Sequence, residues 1–474
     1  MTPHSTDYLV VGAGTAGLAF ADTLIAQDPN AHVTLVDRRG KAGGHWNDAY
    51  PFVTLHQPSA FYGVASLPLG SGRIDSVGLN AGLAELASGA EVCAYFDRVV
   101  HQSLLASGRV AYCPMHEHLG DGLIESLLSG ERTQLQVRRR IVDASHQGPS
   151  IPSNHRPRFE VADGVRLVPP NALPQLWQRA ARGESLPRRF VVVGAGKTAM
   201  DSVSWLLGAG APAAAIQWLV PRDSWLVNRV TTQNGAEFFD AAIGGQADQM
   251  QAFAEAESVE DLFLRLEAAG VLLRIHRDRW PTMFHLATMT PAEAAWLARV
   301  QDVVRLGHVR RLEPAAIELE HGRIAVDDPA ATLFVDCTAS AVEPRPLLPV
   351  FQDGRIVLQM LRLPLPAFSA ALTAWIEVHG RDDKHRNALA APVPFPHSLA
   401  DYPKAMAVGM WNQAQWGQEP ALRQWMRECR LDGFSKLMAS ASRDNPAQQA
   451  IIARFKQHAM AAMANLPRLI ASAA

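Results

Sequence analysis

Cysteine is scarce. Cys93, Cys113, Cys337 and Cys429 are the only four in 474 residues, and no two are spaced as CxxC. A disulfide-stapled fold and a structural zinc site are thereby disfavoured, since both need paired cysteines. A dithiol–disulfide reductase would also need a close pair. Long apolar runs are missing too: no stretch of about 18 uninterrupted apolar residues occurs, so no membrane span is expected. The N-terminus has no charged region followed by an apolar run and a cleavage site, and a cytoplasmic location is expected. Neither sign of charge is in excess, the formal net charge being −2. Nothing therefore points to nucleic acid or an anionic membrane as partner. The short basic run Arg138, Arg139 and Arg140 follows an alternating apolar stretch and reads as the end of a solvated strand. No GxSxG is present, and His116-Glu117-His118 lacks HExxH spacing and an obvious third ligand, so neither a serine hydrolase nor a metal site is expected.

Apolar residues make up 48% of the chain, enough for large cores, and the length calls for two or three domains. The first unit opens with a strand pattern, YLVVGAG, then a helix pattern from residue 15 to about 27, then a second strand, HVTLVD. This is a βαβ unit. Prolines accumulate between 149 and 187 and mark an irregular connection. A second βαβ unit starts at Phe190 with FVVVGAG, a helix at about 198–207 and the strand IQWLV. A region of largely helical pattern covers 236–300, and a hairpin pattern follows at 309–327. The strand LFVDCTAS then echoes the earlier RRIVDAS. Two such strands, one on each side of the second unit, suggest that the chain leaves the first domain and returns to it. From about Phe368 to the end the pattern is mostly helical.

Gly12, Gly14 and Gly17 form GAGTAG between strand and helix. The first glycine permits the tight turn, the second lets backbone approach a pyrophosphate, and the third lets helix and strand pack closely. The helix N-terminus offers free N–H groups to the phosphates. Asp37 closes the second strand, where a carboxylate can accept both ribose hydroxyls. Thr15, Ala16 and Arg38 complete the expected contacts of this site. Gly194, Gly196 and Ala199 repeat the pattern as GAGKTA, with Lys197 and Thr198 inside it. Here the strand ends in Val220, Pro221 and Arg222, with no acid at the strand end itself. A carboxylate would repel a 2′-phosphate, whereas arginine can pair with it, which favours NADPH over NADH. If Arg222 is only an exposed loop residue, either nucleotide serves. Two nucleotide sites in one chain are simply explained by a nicotinamide that delivers a hydride and a flavin that stores two electrons.

The segment Gly43-Gly44-His45-Trp46, followed by YPFVTLHQPSAFYG, resembles the GG-x-W and LH-x-P stretches of class B flavin-containing monooxygenases. The resemblance carries over to Gly12, Gly14, Gly17, Asp37, Gly44, Trp46, Leu55, His56, Gly194, Gly196 and Arg222. It implies an NADPH domain nested in an FAD domain, with Trp46 and His56 beside the flavin. Core packing for Trp46 and a satisfied buried histidine for His56 are the plainer alternatives. The family's phenylalanine-x-glycine segment with a following histidine should precede the second glycine motif. That place reads PRFEVADGVRLVPPNALP, with Phe159 and Gly164 but no histidine after them. The segment PLPAFSAALTAWIEVH reads as a helix with Ser369 in its first turn. Related flavoproteins aim such an N-terminus at the flavin ring, and an ordinary amphipathic helix is the alternative.

The expected fold is α/β: two Rossmann-like dinucleotide-binding domains and a helical C-terminal region. The expected divisions are 1–164 and 335–474 for the FAD-binding domain and 165–334 for the inserted NAD(P)H-binding domain. The expected function is an NADPH-dependent monooxygenase that transfers one oxygen atom from a flavin hydroperoxide to a small organic substrate, with FAD, NADPH and molecular oxygen as participants. Trp46 and His56 are the candidate catalytic residues, and no metal is expected. A flavoprotein reductase or dehydrogenase without oxygen insertion is the first alternative, and a non-enzymatic redox sensor is the second.

Overall fold

The computed structural model describes residues 5–340 and 342–472. Its centre is a pair of parallel sheets. The first runs in the order Phe351–Gln352, Arg355–Val357, Gln136–Asp143, Ser5–Val11, Val33–Asp37 and Val110–Pro114. All neighbours are parallel except the first two strands. The second runs Val303–Val304, Ile216–Leu219, Arg189–Val193, Thr332–Asp336 and Leu167–Val168, parallel throughout. Strands buried on both faces read as continuous apolar runs, which is how YLVV and FVVV look in the sequence.

In each sheet the strand that enters a glycine turn lies at the centre. A helix, Thr15–Gln27 in one unit and Lys197–Gly208 in the other, leads on to the strand at its side. The opposite neighbour is the VDAS-like strand. Val11 faces Asp143 in the first sheet, and Val193 faces Asp336 in the second. Both repeats therefore do the same job. Ala144 packs under Gly12 and Gly17, and the Cys337 carbonyl packs under Gly194. This corrects the meaning given to the repeat. The strand Thr332–Asp336 belongs to the second sheet, and a boundary at 334/335 would cut it. The chain re-enters the first sheet at Phe351–Gln352 and Arg355–Val357. At the other end Glu160–Val161 already pairs with Val309–Glu313, so the crossing precedes residue 164.

The region 236–300 is less helical than its pattern. Helices Phe239–Glu255, Val259–Ala268 and Pro291–Leu297 alternate with strands Leu272–Leu273 and Met283–Met289. Those strands pair with Ser224–Asn228, a long-range partner that local periodicity does not report. At the C-terminal end the helix Pro366–His379 lies along Thr15–Gln27, and Pro446–Ser472 lies along Phe239–Glu255, so the last hundred residues cover both units. Among the described residues no helix is long and apolar enough to cross a membrane.

Candidate functional site at the two glycine turns

The first turn is built on backbone contact. Gly12 sits at φ +106°, a left-handed conformation that glycine adopts without strain. A Cβ on Gly17 would lie 1.9 Å from the Gly12 carbonyl oxygen, so only glycine lets the helix start there. Gly14 caps that helix with no side-chain cap, leaving its first N–H groups free. Gly44, at φ +58°, rests its backbone against Gly14, and the Gly43 N–H donates to the Ala13 carbonyl at 2.9 Å. The GG-x-W turn and the GAGTAG turn are thus one structure. Asp37 is buried, and its carboxylate accepts the Ala13 and Arg39 N–H groups, each at 2.7 Å. Ala16 packs at the edge of the core. Arg38 is exposed beside Glu117, and it is the next residue, Arg39, that turns inward to Asp48 at 2.7 Å.

Trp46 faces this first turn. Its indole N–H donates to the Tyr62 hydroxyl at 2.7 Å, and the same hydroxyl makes a short hydrogen bond with Thr15, the first residue of the helix. Tyr62 is not among the candidates read from the sequence, although it is the last residue but one of the YPFVTLHQPSAFYG stretch. Only the fold brings it under Trp46.

The second turn repeats the plan. Gly194 sits at φ +122°, and a Cβ there would approach the Cys337 carbonyl oxygen to 2.7 Å. Gly196 caps its helix without a side chain, and a Cβ added to it meets nothing within 4 Å, so the approach is open. Ala199 is fully buried, as close helix packing requires. Lys197 is paired with Asp201 one helical turn on, and the Thr198 carbonyl accepts the Ser202 hydroxyl. Arg222 is exposed, and its guanidinium makes no ion pair or hydrogen bond among the described residues. An acid missed from the sequence, Asp223, follows it, but Arg305 holds that carboxylate bidentately at 2.7 and 3.0 Å.

The segment after Trp46 spans from one turn to the other. Tyr50 donates to Asp201 at 2.7 Å, and Phe52 stacks on Trp205 with ring centroids 5.1 Å apart. His56 thus lies against the second unit. Its carbonyl accepts the Arg229 Nε–H at 3.0 Å, and its Nδ1 accepts the Thr288 N–H at 3.3 Å. Burial, with help from nearby Lys197 and Arg229, pushes its pKa down to about 3. His56 is therefore a neutral imidazole with its proton on Nε2, a hydrogen-bond donor rather than a proton shuttle at neutral pH. Arg229 is only 1% exposed and also reaches Asn80, Thr288 and Glu293.

Ser369 is buried, and its hydroxyl is spoken for. It accepts the N–H groups of Leu361 at 3.0 Å and Arg362 at 3.2 Å, and it lies 2.8 Å from the Leu365 carbonyl. The residue braces the loop before its own helix. The helix itself begins at Pro366, and its N-cap residue Leu365 makes no side-chain cap.

Residues 10–60 match the family model described as an NAD(P)-binding Rossmann-like domain. An FAD-dependent monooxygenase, resA, of Aspergillus sclerotiorum is 25% identical over 228 residues, which is 45% of this chain and 36% of that one. Among solved structures, the polycyclic ketone monooxygenase of the thermophilic fungus Thermothelomyces thermophila shares the fold. Its TM-score is 0.51 at 13% identity, covering 97% of this chain and 89% of that one. The protein Rv2000 of Mycobacterium tuberculosis, which has no assigned function, is 42% identical over 468 residues, spanning 99% of this chain and 85% of the relative. This chain belongs to the same family as Rv2000, built on the α/β fold of two Rossmann-like units with a helical C-terminal region.

Proposed function

We propose that the protein is an FAD- and NADPH-dependent monooxygenase acting on a small organic molecule. The observation that carries this is the arrangement of two open glycine turns with one segment, 46–56, bonded to both. The residues fit both nucleotides: uncapped helix N-termini, glycines where a Cβ would collide, and a buried acid at the end of one second strand only. The chemistry supplied when they are bound is a hydride from NADPH and, from FAD, two-electron storage and activation of oxygen.

The side chains have distinct parts in this reading. Gly12, Gly14 and Gly17 admit one pyrophosphate to a helix N-terminus, and Asp37 accepts ribose hydroxyls. Gly194 and Gly196 admit the second, and Arg222 pairs with the 2′-phosphate. Trp46 and Tyr62 wall the flavin side and exclude water. His56 offers its neutral Nε2–H from the nicotinamide side. Tyr50, through Asp201, keeps the two sides in register. The FAD unit is then formed from both chain regions that share the first sheet, with the NADPH unit inserted between them. A cytoplasmic location accompanies this reading, NADPH being an intracellular reductant.

A reductase without oxygen insertion is the second reading, favoured by the missing histidine after Phe159 and Gly164. The test is spectroscopic. The purified protein is expected to be yellow and to release FAD on denaturation, and anaerobic NADPH is expected to bleach it. In air, substrate-stimulated NADPH oxidation should yield an oxygenated product; reduction with hydrogen peroxide as the only product would favour the reductase. Release of FMN, or of no flavin, would overturn the reading.

A further inference from the structure

Two histidines from different parts of the chain meet near Arg222. His285 lies in the strand Met283–Met289 of the second unit, and His397 lies in the chain leading to the helix Asp401–Trp416. Nε2 of His285 and Nδ1 of His397 are 3.3 Å apart, the rings are perpendicular, and Phe395 stands beside both. The backbones are joined as well, by a bridge between Met283 and Ser398. The Asp401 carboxylate is turned to this loop, where it accepts the N–H groups of His397 at 3.2 Å and Ser398 at 2.9 Å.

The backbone around His285 is bent. Ser224–Asn228 runs parallel to Met283–Met289, but Trp225 faces Phe284 while Val227 faces Thr288, so the second strand bulges at 285–287. Leu286, inside the bulge, sits at φ +56°, a left-handed conformation that costs about 1–2 kcal/mol for a residue with a side chain. Bulges and strained residues of this kind re-aim side chains at working sites. Arg222 stands at the head of the same strand pair: the carbonyl of Asp223, next in sequence, accepts the Thr282 and Met283 N–H groups at 3.1 and 3.2 Å. Burial, His397 and the Arg222 charge together push the His285 pKa down to about 4.

A neutral pair joined in this way has one proton between the rings and one N–H left over. If His285 donates, the spare N–H is on Nε2 of His397; if His397 donates, it is on Nδ1 of His285. Both outer nitrogens lack a hydrogen-bond partner among the described residues, and neither is closed off from solvent. In either tautomer the pair therefore presents an outward donor and an outward lone pair. That combination suits a phosphate monoester, which takes the donor on one oxygen and, with a second pKa of about 6, can share its remaining proton with the lone pair.

We propose that His285 and His397 complete the receptor for the 2′-phosphate of NADPH, with Arg222 supplying the charge and the histidine pair the oriented hydrogen bonds. This rests on the reading of the second glycine turn as the NADPH site. It adds that the phosphate is held from two parts of the molecule at once: His397 belongs to the C-terminal region, so NADPH ties that region to the second unit and NADH does not.

The test is calorimetric titration of the purified, flavin-loaded protein with NADP⁺ and NAD⁺. His285→Leu and His397→Leu should each weaken NADP⁺ about tenfold, the loss of one hydrogen bond to a charged group, and leave NAD⁺ unchanged. The two changes lie in different regions, so misfolding of one variant leaves the other as the test, with flavin content and NAD⁺ affinity reporting the fold. Equal losses for both nucleotides, or NADP⁺ affinity unchanged in the variants, overturns the proposal. If Arg222→Ala loses NADP⁺ preference while both histidine variants keep it, the NADPH reading stands and the histidines have no part in it. Native protein that binds neither nucleotide would defeat the reading of the second turn itself. Inorganic phosphate is the remaining probe: binding that the histidine changes abolish, with NADP⁺ untouched, would assign the pair to a free anion and also overturn the proposal.

Discussion

In the proposed reading Arg222 sets nucleotide preference, and no other described residue claims its guanidinium. It stands beyond the second strand of the second unit, exposed and without a partner among the described residues, while the carboxylate beside it is neutralised by Arg305. A 2′-phosphate placed there would meet the Arg222 cation, beside an Asp223 carboxylate already paired with Arg305. The exposure limits the effect through solvent screening, so the low end of charged hydrogen-bond energies applies. Arg222→Ala should weaken NADPH about tenfold and leave NADH nearly unchanged, as read by anaerobic titration of flavin reduction. Equal losses for both nucleotides would remove Arg222 from the phosphate site. Ser369 shows the reverse situation. Its place in the first turn of a helix was visible in the sequence, but the acceptors and donors that occupy its hydroxyl lie in the loop before the helix.

Between single residues and domains, the segment from Trp46 to His56 is the element that matters most. It begins under the first turn and ends on the second unit, and Arg229 is its clamp. That guanidinium is buried and shared among the His56 carbonyl, Asn80, the Thr288 carbonyl and Glu293. Removing it strands Glu293 without its cation and takes a donor from two carbonyls. Arg229→Met should therefore cost about 3–5 kcal/mol in urea unfolding. Tyr50→Phe removes a single charge-assisted hydrogen bond to Asp201 and should cost about 1.5–3 kcal/mol. It should also slow flavin reduction by NADPH with flavin content intact, since it cuts one of the links between the units and leaves the first glycine turn untouched. An unchanged reduction rate would make Tyr50 a packing residue. None of these long-range bonds leaves a mark in the local sequence. Arg229 in particular looks there like an ordinary loop residue.

At the scale of the whole molecule, half-buried histidines tie stability to pH. Burial is the main cause in each case. It pushes His45 and His285 down to about 4 and His56 to about 3, from an ordinary 6.5. All three are neutral in the fold and become protonated on unfolding once the pH drops below about 6.5. The unfolded chain then holds more protons, so stability rises with pH across the window from the folded values to 6.5, and is lost as pH falls through it. Each histidine contributes a slope of at most about 1.4 kcal/mol per pH unit there. The melting temperature should therefore fall steadily between pH 6.5 and 5, and His285→Gln should flatten part of that slope. A melting temperature constant over this range would show that these rings reach solvent.

Some of this architecture is written locally and some is not. The helix read at 15 to about 27 is Thr15–Gln27 in the structure, because a glycine turn, an apolar strand and a helical period are all short-range signals. The hairpin pattern at 309–327 appears as Val309–Glu313, Ala316–Leu319 and Gly322–Ala325 for the same reason. The repeated VDAS strands were legible as a pair, but their meaning was not. Their sequence records a shared local task, packing under a glycine turn, and carries no information about which sheet each one joins. Parallel pairing decided that, through contacts far apart in the chain. The sequence by itself determined the two turns, since φ angles, missing Cβ atoms and strand-to-helix periodicity are properties of a few adjacent residues. Only the tertiary structure decided that Trp46 meets Tyr62 and that His56 is neutral against the second unit. Each of those depends on burial and on partners brought together by packing.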